Sequence, residues 1–394
     1  MSRRKILLIA SWYPTSHSPV NGIFIQDQAQ ALSQEYDVAV LAPRIAGWRE
    51  MLHGKIGPRS QLQKEGNLLV SRERVLAPVP RAPVWAYRNW LPAAARGFAK
   101  LLAQWGRPDL IHAQVVLPGG LSAVRLGKQH GIPVVLTEHT SPFSAHLKTA
   151  PLRRWVQETL AQSNRVLAVS PALAQQIQAF DKTIEIHIVG NLINTDFFVP
   201  IKTERHHLGK THFLSVGLLT PQKGINFLLQ AAARLLQRGC TAFELIIGGD
   251  GPERPRLERL AQALGLHDYC HFTGMLTREQ VKQQMQQCDV FVLPSLHETF
   301  GLVLAEAMAC GKRVIATRCG GPEFVVTSET GILVEAANPA ALMNAMADLI
   351  EVRSRFDTRS VRQSVIERFG EAAFLKNISV LYEAVWAKSG LRII

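Results

Sequence analysis

The sequence has no run of about 20 consecutive apolar residues, the length a membrane-crossing helix requires. Ile6 to Ala10 is apolar and follows Arg3, Arg4 and Lys5. It falls short of the roughly 7–15 residues of a signal-peptide core, so it reads as a buried first strand. Cysteine is scarce: the five residues Cys240, Cys270, Cys288, Cys310 and Cys319 form no CxxC pair. That excludes zinc-site spacing and a disulfide scaffold, and it fits reduced thiols in a cytoplasm. There is no Walker A loop, no GxGxxG turn, no low-complexity segment and no short repeat. No grouping of His, Asp, Glu or Cys has the spacing of a metal site.

What is present describes a folded α/β chain. Of 394 residues, 47% are hydrophobic and 19% charged, which excludes a disordered chain. At roughly 150 residues per domain, the length accommodates two domains with real cores. Acidic residues are in the minority, 31 against 44 Lys and Arg, for a net charge of +13. The excess is concentrated early, with 22 basic and 12 acidic residues in 1–200. From Arg44 to Arg107 there are 12 basic and 3 acidic residues, interleaved with Trp48, Trp85, Tyr87, Trp90, Phe98 and Trp105. Such a segment suits an anionic membrane surface, an anionic acceptor or nucleic acid. A solvated basic face over core aromatics accounts for it as well.

Short Val/Ile/Leu-rich runs alternate with helical patterns along the chain. Strands are expected at Lys5–Ala10, Val38–Ala42, Leu68–Ser71, Leu110–Ala113, Val134–Thr137, Val166–Val169 and Ile186–Val189. Helical stretches between them include Ile25–Gln34, Leu121–Gln129 and Pro171–Phe180. The polar, irregular segment Asp196–Lys210 reads as a linker. A second series follows, with strands at Thr211–Val216, Phe243–Gly248, His271–Thr273, Val290–Leu293, Arg313–Thr317 and Gly331–Val334. Ala373–Lys388 reads as a last helix. Alternation of this kind predicts two parallel, doubly wound sheets, whose ligands sit at the carboxyl ends of the strands.

Three loops of the second series carry chemistry. Gly217-Leu-Leu-Thr-Pro-Gln-Lys223-Gly224 places a lysine where it can neutralise a phosphate, though a solvated turn lysine is an equal reading. Gly248-Gly249-Asp250-Gly251 lets backbone approach a ligand, or simply makes a tight turn. The third loop, Pro294 to Met308, is the strongest. A helix starting near Leu302 offers amides and a positive dipole end to a diphosphate. Glu298 precedes that end and Glu306 lies one turn inside. Carboxylates accept hydrogen bonds from sugar hydroxyls, so one suits a hexose and the other a ribose.

The spacing Glu298-x7-Glu306, followed by Ala309-Cys310-Gly311-Lys312 and Gly320-Gly321-Pro322-Glu323, resembles the retaining, metal-independent glycosyltransferases of family four, also called group 1. Val189-Gly190-Asn191 through Phe198 resembles that family's interdomain segment. Pro14–Gln28, Ile111-His112-Ala113, Thr137-Glu138-His139 and Arg368-Phe369 resemble further parts of it. The resemblance implies a GT-B fold: α/β, two Rossmann-like doubly wound domains facing a central cleft. The first domain is expected over 1–195, with the helix of 372–394 packing back on it. A donor-binding domain is expected over 196–371. The resemblance also assigns roles. Lys223, Glu298 and His139 would be catalytic. Gly22, Gly217, Lys223, Met275, Glu298, Phe300, Gly301, Leu302 and Glu306 would bind a nucleotide-sugar donor, by default a UDP-sugar. No metal and no other cofactor is implied. His112, His206 and His207 read as structural or solvated. Leu218 stands where the family carries a phosphate-binding arginine. Lys223 with the helix end could suffice, Arg254 could substitute, or donor binding could be weak.

The activity so implied is hexose transfer to a saccharide or lipid-linked saccharide, in cell-surface polysaccharide or glycoconjugate synthesis. It would take place in the cytoplasm or at the inner face of the membrane, through the basic first domain. Two alternatives stand beside it. One is a sugar-nucleotide 2-epimerase-like enzyme. The other is a non-catalytic protein on a decayed fold that binds membrane or nucleic acid.

Overall fold

A computed structural model describes residues 3–15, 18–46, 58–77, 82–201, 209–351 and 357–388. Trp48, His206 and His207 lie outside the described residues. The chain divides into two compact units. The first comprises Met1–Val169, Leu173–Leu192 and Phe374–Ile394, and the second Ser170–Ala172 and Ile193–Ala373.

The first unit is built on an eight-stranded sheet. Its strands are β1 (Lys5–Ala10), β2 (Asp37–Ala46), β3 (Ser60–Glu65), β4 (Leu68–Leu76), β5 (Leu110–Gln114), β6 (Val134–Glu138), β7 (Arg165–Ala168) and β8 (Ile186–Ile188). The order is β3-β4-β2-β1-β5-β6-β7-β8, parallel except where β3 runs antiparallel on the edge beside β4. Strands β1 and β5 are buried almost throughout, the mark of a parallel sheet covered on both faces. The covering helices are α1 (Ile23–Glu35), α2 (Pro83–Gln104), α3 (Leu121–His130), α4 (Ala150–Gln162) and α5 (Pro171–Phe180).

The second unit holds a six-stranded parallel sheet. Its strands are β9 (Thr211–Val216), β10 (Phe243–Gly248), β11 (Cys270–Gly274), β12 (Val290–Leu293), β13 (Arg313–Arg318) and β14 (Gly331–Glu335), in the order β11-β10-β9-β12-β13-β14. Its helices are α6 (Ile225–Gln237), α7 (Arg254–Ala263), α8 (Arg278–Gln287), α9 (Leu302–Ala309), α10 (Pro322–Val325), α11 (Pro339–Glu351) and α12 (Thr358–Phe369). Both sheets are doubly wound α/β, as the alternation of the sequence predicts.

The final helix, α13 (Glu371–Lys388), packs into the first unit. It buries Phe374, Ile378, Tyr382, Val385 and Trp386 among strand residues such as Leu8, Val38 and Leu110. Each large apolar side chain buried this way contributes roughly 1.5–3 kcal/mol. Two polar contacts fix its register. The Tyr382 hydroxyl lies 2.6 Å from His112 Nδ1, and the Trp386 indole donates to the Asp109 carbonyl at 3.2 Å.

The division between units falls at Leu192/Ile193, ahead of the polar segment read as a linker. Phe198 explains the difference, because its ring is 1% exposed. Arg362 donates to the carbonyls of Phe198 and Thr195, at 2.8 and 2.9 Å, and holds this stretch in the second unit.

Candidate active site

In a doubly wound sheet, the strand order reverses at one point, and the loops leaving the carboxyl ends on either side form a crevice there. In the second unit that point lies between β9 and β12. The loops leaving them are Gly217–Gly224 and Pro294–Gly301, two of the three motifs picked out above. Topology therefore brings together residues 75 apart. The Lys223 ammonium lies 2.5 Å from Glu298 Oε1, with both side chains largely shielded from water.

Each partner is held by its backbone. Lys223 ends a single tight turn, Pro221–Lys223, and Gly224 caps α6 in the left-handed conformation at φ 63°. A Cβ at Gly224 would lie 2.1 Å from the Pro294 carbonyl oxygen, so the two loops touch at a place only glycine fits. On the other side, the buried Ser295 hydroxyl donates to Glu298 Oε1 at 2.8 Å. Thr317 in turn donates to the Ser295 carbonyl. The Gly321 amide donates to the Glu298 carbonyl at 2.8 Å, tying this loop to the one after β13. Ser295 and Thr317 brace Glu298, and the sequence reading does not name them, since a serine and a threonine carry no spacing signal.

Four residues after Glu298, α9 begins at Leu302. Gly301 caps it at φ 90° and, as a glycine, brings no side chain to its first turn, where the positive end of the helix dipole lies. The Gly301 and Leu302 backbone sits at this end, and half-buried Glu306 lies one turn in. Phe300 differs. Its ring is 1% exposed and packs against Phe324 and Phe369, with centroids 6.4 and 5.1 Å away. Only its backbone can meet a donor.

The remaining loops stack on these. The Gly217 amide donates to the Gly248 carbonyl, and the Gly249 amide to the Gly274 carbonyl, at 3.0 and 2.7 Å. A Cβ at Gly249 would lie 1.9 Å from the Gly217 oxygen, which is why this turn is glycine-rich. Met275 follows β11 and is 62% exposed. Leu218, where an arginine is expected from the resemblance, is 56% exposed. Arg254 is engaged with Glu258 at 2.8 Å and Asp250 at 3.5 Å.

Gly22 and His139 belong to the first unit. Gly22 caps α1 at φ 73°, and a Cβ there would strike the Trp12 backbone at 2.5 Å. His139 follows β6, is 7% exposed, and has Nε2 2.7 Å from Gln114 Oε1. Burial lowers its pKa to about 4, and the charge of Glu138 and a hydrogen bond with Asn191 only partly oppose this. At neutral pH it is an uncharged imidazole beside Phe24, with the rings tilted by 54° and their centroids 5.0 Å apart. His112 is enclosed by Tyr382 and by Thr137 at 2.7 Å, and burial lowers its pKa to about 3.

Glu138 is fully buried. Burial alone would raise its pKa. The hydrogen bond and charge of His146, with Thr140 and the Val116 amide, outweigh burial and bring it down to about 2. It accepts from the Val116, His139 and Thr140 amides at 2.6–2.9 Å. It is therefore the anchor of the loops after β5 and β6, a role that the sequence motif alone does not reveal.

Comparison with known proteins follows the same division. The family described as "Glycosyltransferase Family 4" matches residues 22–197, and "Glycosyl transferases group 1" matches 210–352. The 2-deoxystreptamine glucosyltransferase of Streptomyces kanamyceticus is 30% identical over 315 residues, 72% of this chain and 79% of that one. This chain belongs to the family 4, group 1 glycosyltransferases. Among curated relatives, the matched share of their own length runs from 49% to 88%. Solved structures share the GT-B fold of the transferase. Sucrose-phosphate synthase from Thermosynechococcus elongatus superimposes with a TM-score of 0.80, at 23% identity, over 98% of this chain and 100% of that one. HepE of Anabaena, in complex with UDP, gives 0.73 at 19% identity, over 97% and 100%. Among the described residues of the transferase, no three or more His, Cys, Asp or Glu side chains gather as a metal site. No described helix is long and apolar enough to cross a membrane.

Proposed function

We propose that the chain transfers a hexose from a nucleoside diphosphate sugar, by default a UDP-sugar, to a saccharide or lipid-linked saccharide. The transfer retains anomeric configuration, needs no metal, and serves cell-surface polysaccharide or glycoconjugate synthesis. The observation that carries this reading is the Lys223–Glu298 pair beside the glycine-capped start of α9. Cleaving the C1–oxygen bond leaves its electron pair on the departing diphosphate. Lys223 and the α9 amides stabilise that charge, and each preorganised donor of this kind is worth a few kcal/mol. Glu306 holds ribose hydroxyls, and Glu298 holds hydroxyls of the hexose. The acceptor oxygen bonds to C1 from the same face, and its proton passes to the departing phosphate oxygen. The UDP complex of HepE supports uridine as the default base.

Membrane presentation of the acceptor is supported by α2, which carries Arg88, Arg96 and Lys100 and no acidic residue, with Trp85 61% exposed. Sedimentation with anionic vesicles at low salt should bring the protein down, and Trp85→Ala should weaken this. The chemistry is tested by following an α-linked UDP-sugar with acceptor by NMR. An α-linked product is expected. A β-linked product, or an isomerised nucleotide sugar formed without acceptor, contradicts the proposal.

A further inference from the structure

The charge of Lys223 is claimed twice. The loops at the carboxyl ends of the second sheet, residues 217–224, 248–253, 294–301 and 319–323, contain a single Lys or Arg, Lys223. Against it stand four acidic residues, Asp250, Glu253, Glu298 and Glu323. Arg254, next along the chain, is engaged with Glu258 and Asp250. A diphosphate arriving at these loops therefore meets one cation, and that cation already lies 2.5 Å from Glu298. We infer, on the donor reading of this site, that the Lys223–Glu298 ion pair sets ligand specificity. It disfavours a bare nucleoside diphosphate and favours one that still carries its sugar.

Packing aims the pair. The aliphatic stem of Lys223 runs over Gly217, where an added Cβ would lie 3.6 Å from Cε and 3.7 Å from Cδ. The ammonium so directed reaches across to the loop after β12. Among the described residues Glu298 is its one partner. An ammonium has three N–H donors, so two remain for a ligand. The carboxylate is divided in the same way. Glu298 Oε1 accepts from Lys223 and from the buried Ser295 hydroxyl at 2.8 Å, while Oε2 has no partner among the described residues. One oxygen holds the protein and the other is left for a hydroxyl.

Electrostatics then separates donor from product. A phosphate that takes the remaining N–H groups of Lys223 comes to lie close to the Glu298 carboxylate, because both share one ammonium. Like charges brought together in a partly shielded site repel. With a bare diphosphate nothing offsets this. With the sugar attached, its hydroxyls donate to Oε2, and hydrogen bonds to a charged acceptor are roughly twice as strong as neutral ones. The same carboxylate is thus unfavourable to the product and favourable to the donor, an unpaired charge set against the competitor. After transfer the hydroxyls leave with the sugar, the repulsion returns, and Lys223 goes back to Glu298 as the diphosphate departs.

The test is calorimetric binding of UDP and UDP-glucose, without acceptor, to wild type, Glu298→Gln and Glu298→Ala. Glutamine keeps the shape of Glu298 and still accepts from Ser295, but carries no charge. Glu298→Gln should bind UDP about tenfold more tightly than wild type, as expected for removal of one like charge from a partly shielded site. It should bind UDP-glucose no more tightly than wild type does. Glu298→Ala should show the same gain for UDP, so a folding defect in one variant leaves the other to decide. A residue that only shapes the site would weaken UDP, or leave it unchanged, when replaced. UDP affinity that is unchanged or lower in both variants, or an equal gain for UDP-glucose, overturns the inference and leaves the donor reading standing so long as wild type binds UDP. Failure of wild type to bind UDP overturns the donor reading and the inference with it.

Discussion

The proposed chemistry rests on single side chains whose positions are over-determined. Lys223 is fixed from its backbone by Gly224, and Glu298 by Ser295 and Gly321. Replacing Lys223 with Ala should lower kcat/KM about 10²–10³-fold with little change in unfolding midpoint, since a removed preorganised donor costs about 2.7–4 kcal/mol. Steady-state kinetics beside a urea titration measures both. The buried histidines make a separate prediction. His139 and His112 have pKa values of about 4 and 3, below the ordinary 6.5. The unfolded chain therefore takes up their protons first as the solution is acidified. Their contribution is fully present above pH 6.5 and is lost as pH falls toward these values, at up to about 1.4 kcal/mol per pH unit for each. Glu138 has the same sign, because its contribution is present above 4.5 and lost as pH falls through about 2. Stability should thus decline below pH 6.5, and His139→Gln should flatten that decline. An identical pH profile in the variant would contradict the burial argument.

Elements show what the sequence can and cannot convey. The strands β9, β10 and β12 lie where the apolar runs place them, because both faces of a central parallel strand are buried and little else is compatible with such runs. β2 and β4 extend four and five residues further than expected, into PRIA and RERVL. There charged residues interrupt the apolar run, and pairing between the strands continues with few buried apolar side chains, Ala46 and Val75 among them, so composition gives little sign of it. β3, with the sequence SQLQKE, has no periodic apolar face and exists because it pairs with β4 on the edge. α2 carries Pro92 and a run of aromatic and basic residues that obscures its helical pattern. The loops after β9 and β12 are legible as motifs, but their meeting is not, since it depends on β12 lying beside β9. At this scale Gly249→Ala is diagnostic. A positive φ of 119° and the 1.9 Å approach to the Gly217 oxygen should cost about 1–3 kcal/mol or more and raise the KM for donor. A urea midpoint unchanged by this substitution would show that the loops after β9 and β10 do not interlock as described.

At the scale of the whole chain, the last helix is part of the first unit although it follows the second in sequence. Tyr382→Ala removes a fully buried ring and the partner of His112 Nδ1. It should destabilise the first unit by about 3–5 kcal/mol, while the second unit keeps its protection in hydrogen exchange. Uniform loss of protection over both units would contradict that division. The proposed donor site lies in the second unit. The most direct measurement is therefore the thermal shift produced by UDP, GDP and ADP on wild type and on Lys223→Ala. A ligand at 100 times its dissociation constant adds roughly 2.7 kcal/mol to the folded state. A shift with UDP that is largely lost in the variant is expected. An equal UDP shift in both proteins, or no shift with any nucleotide, would contradict it.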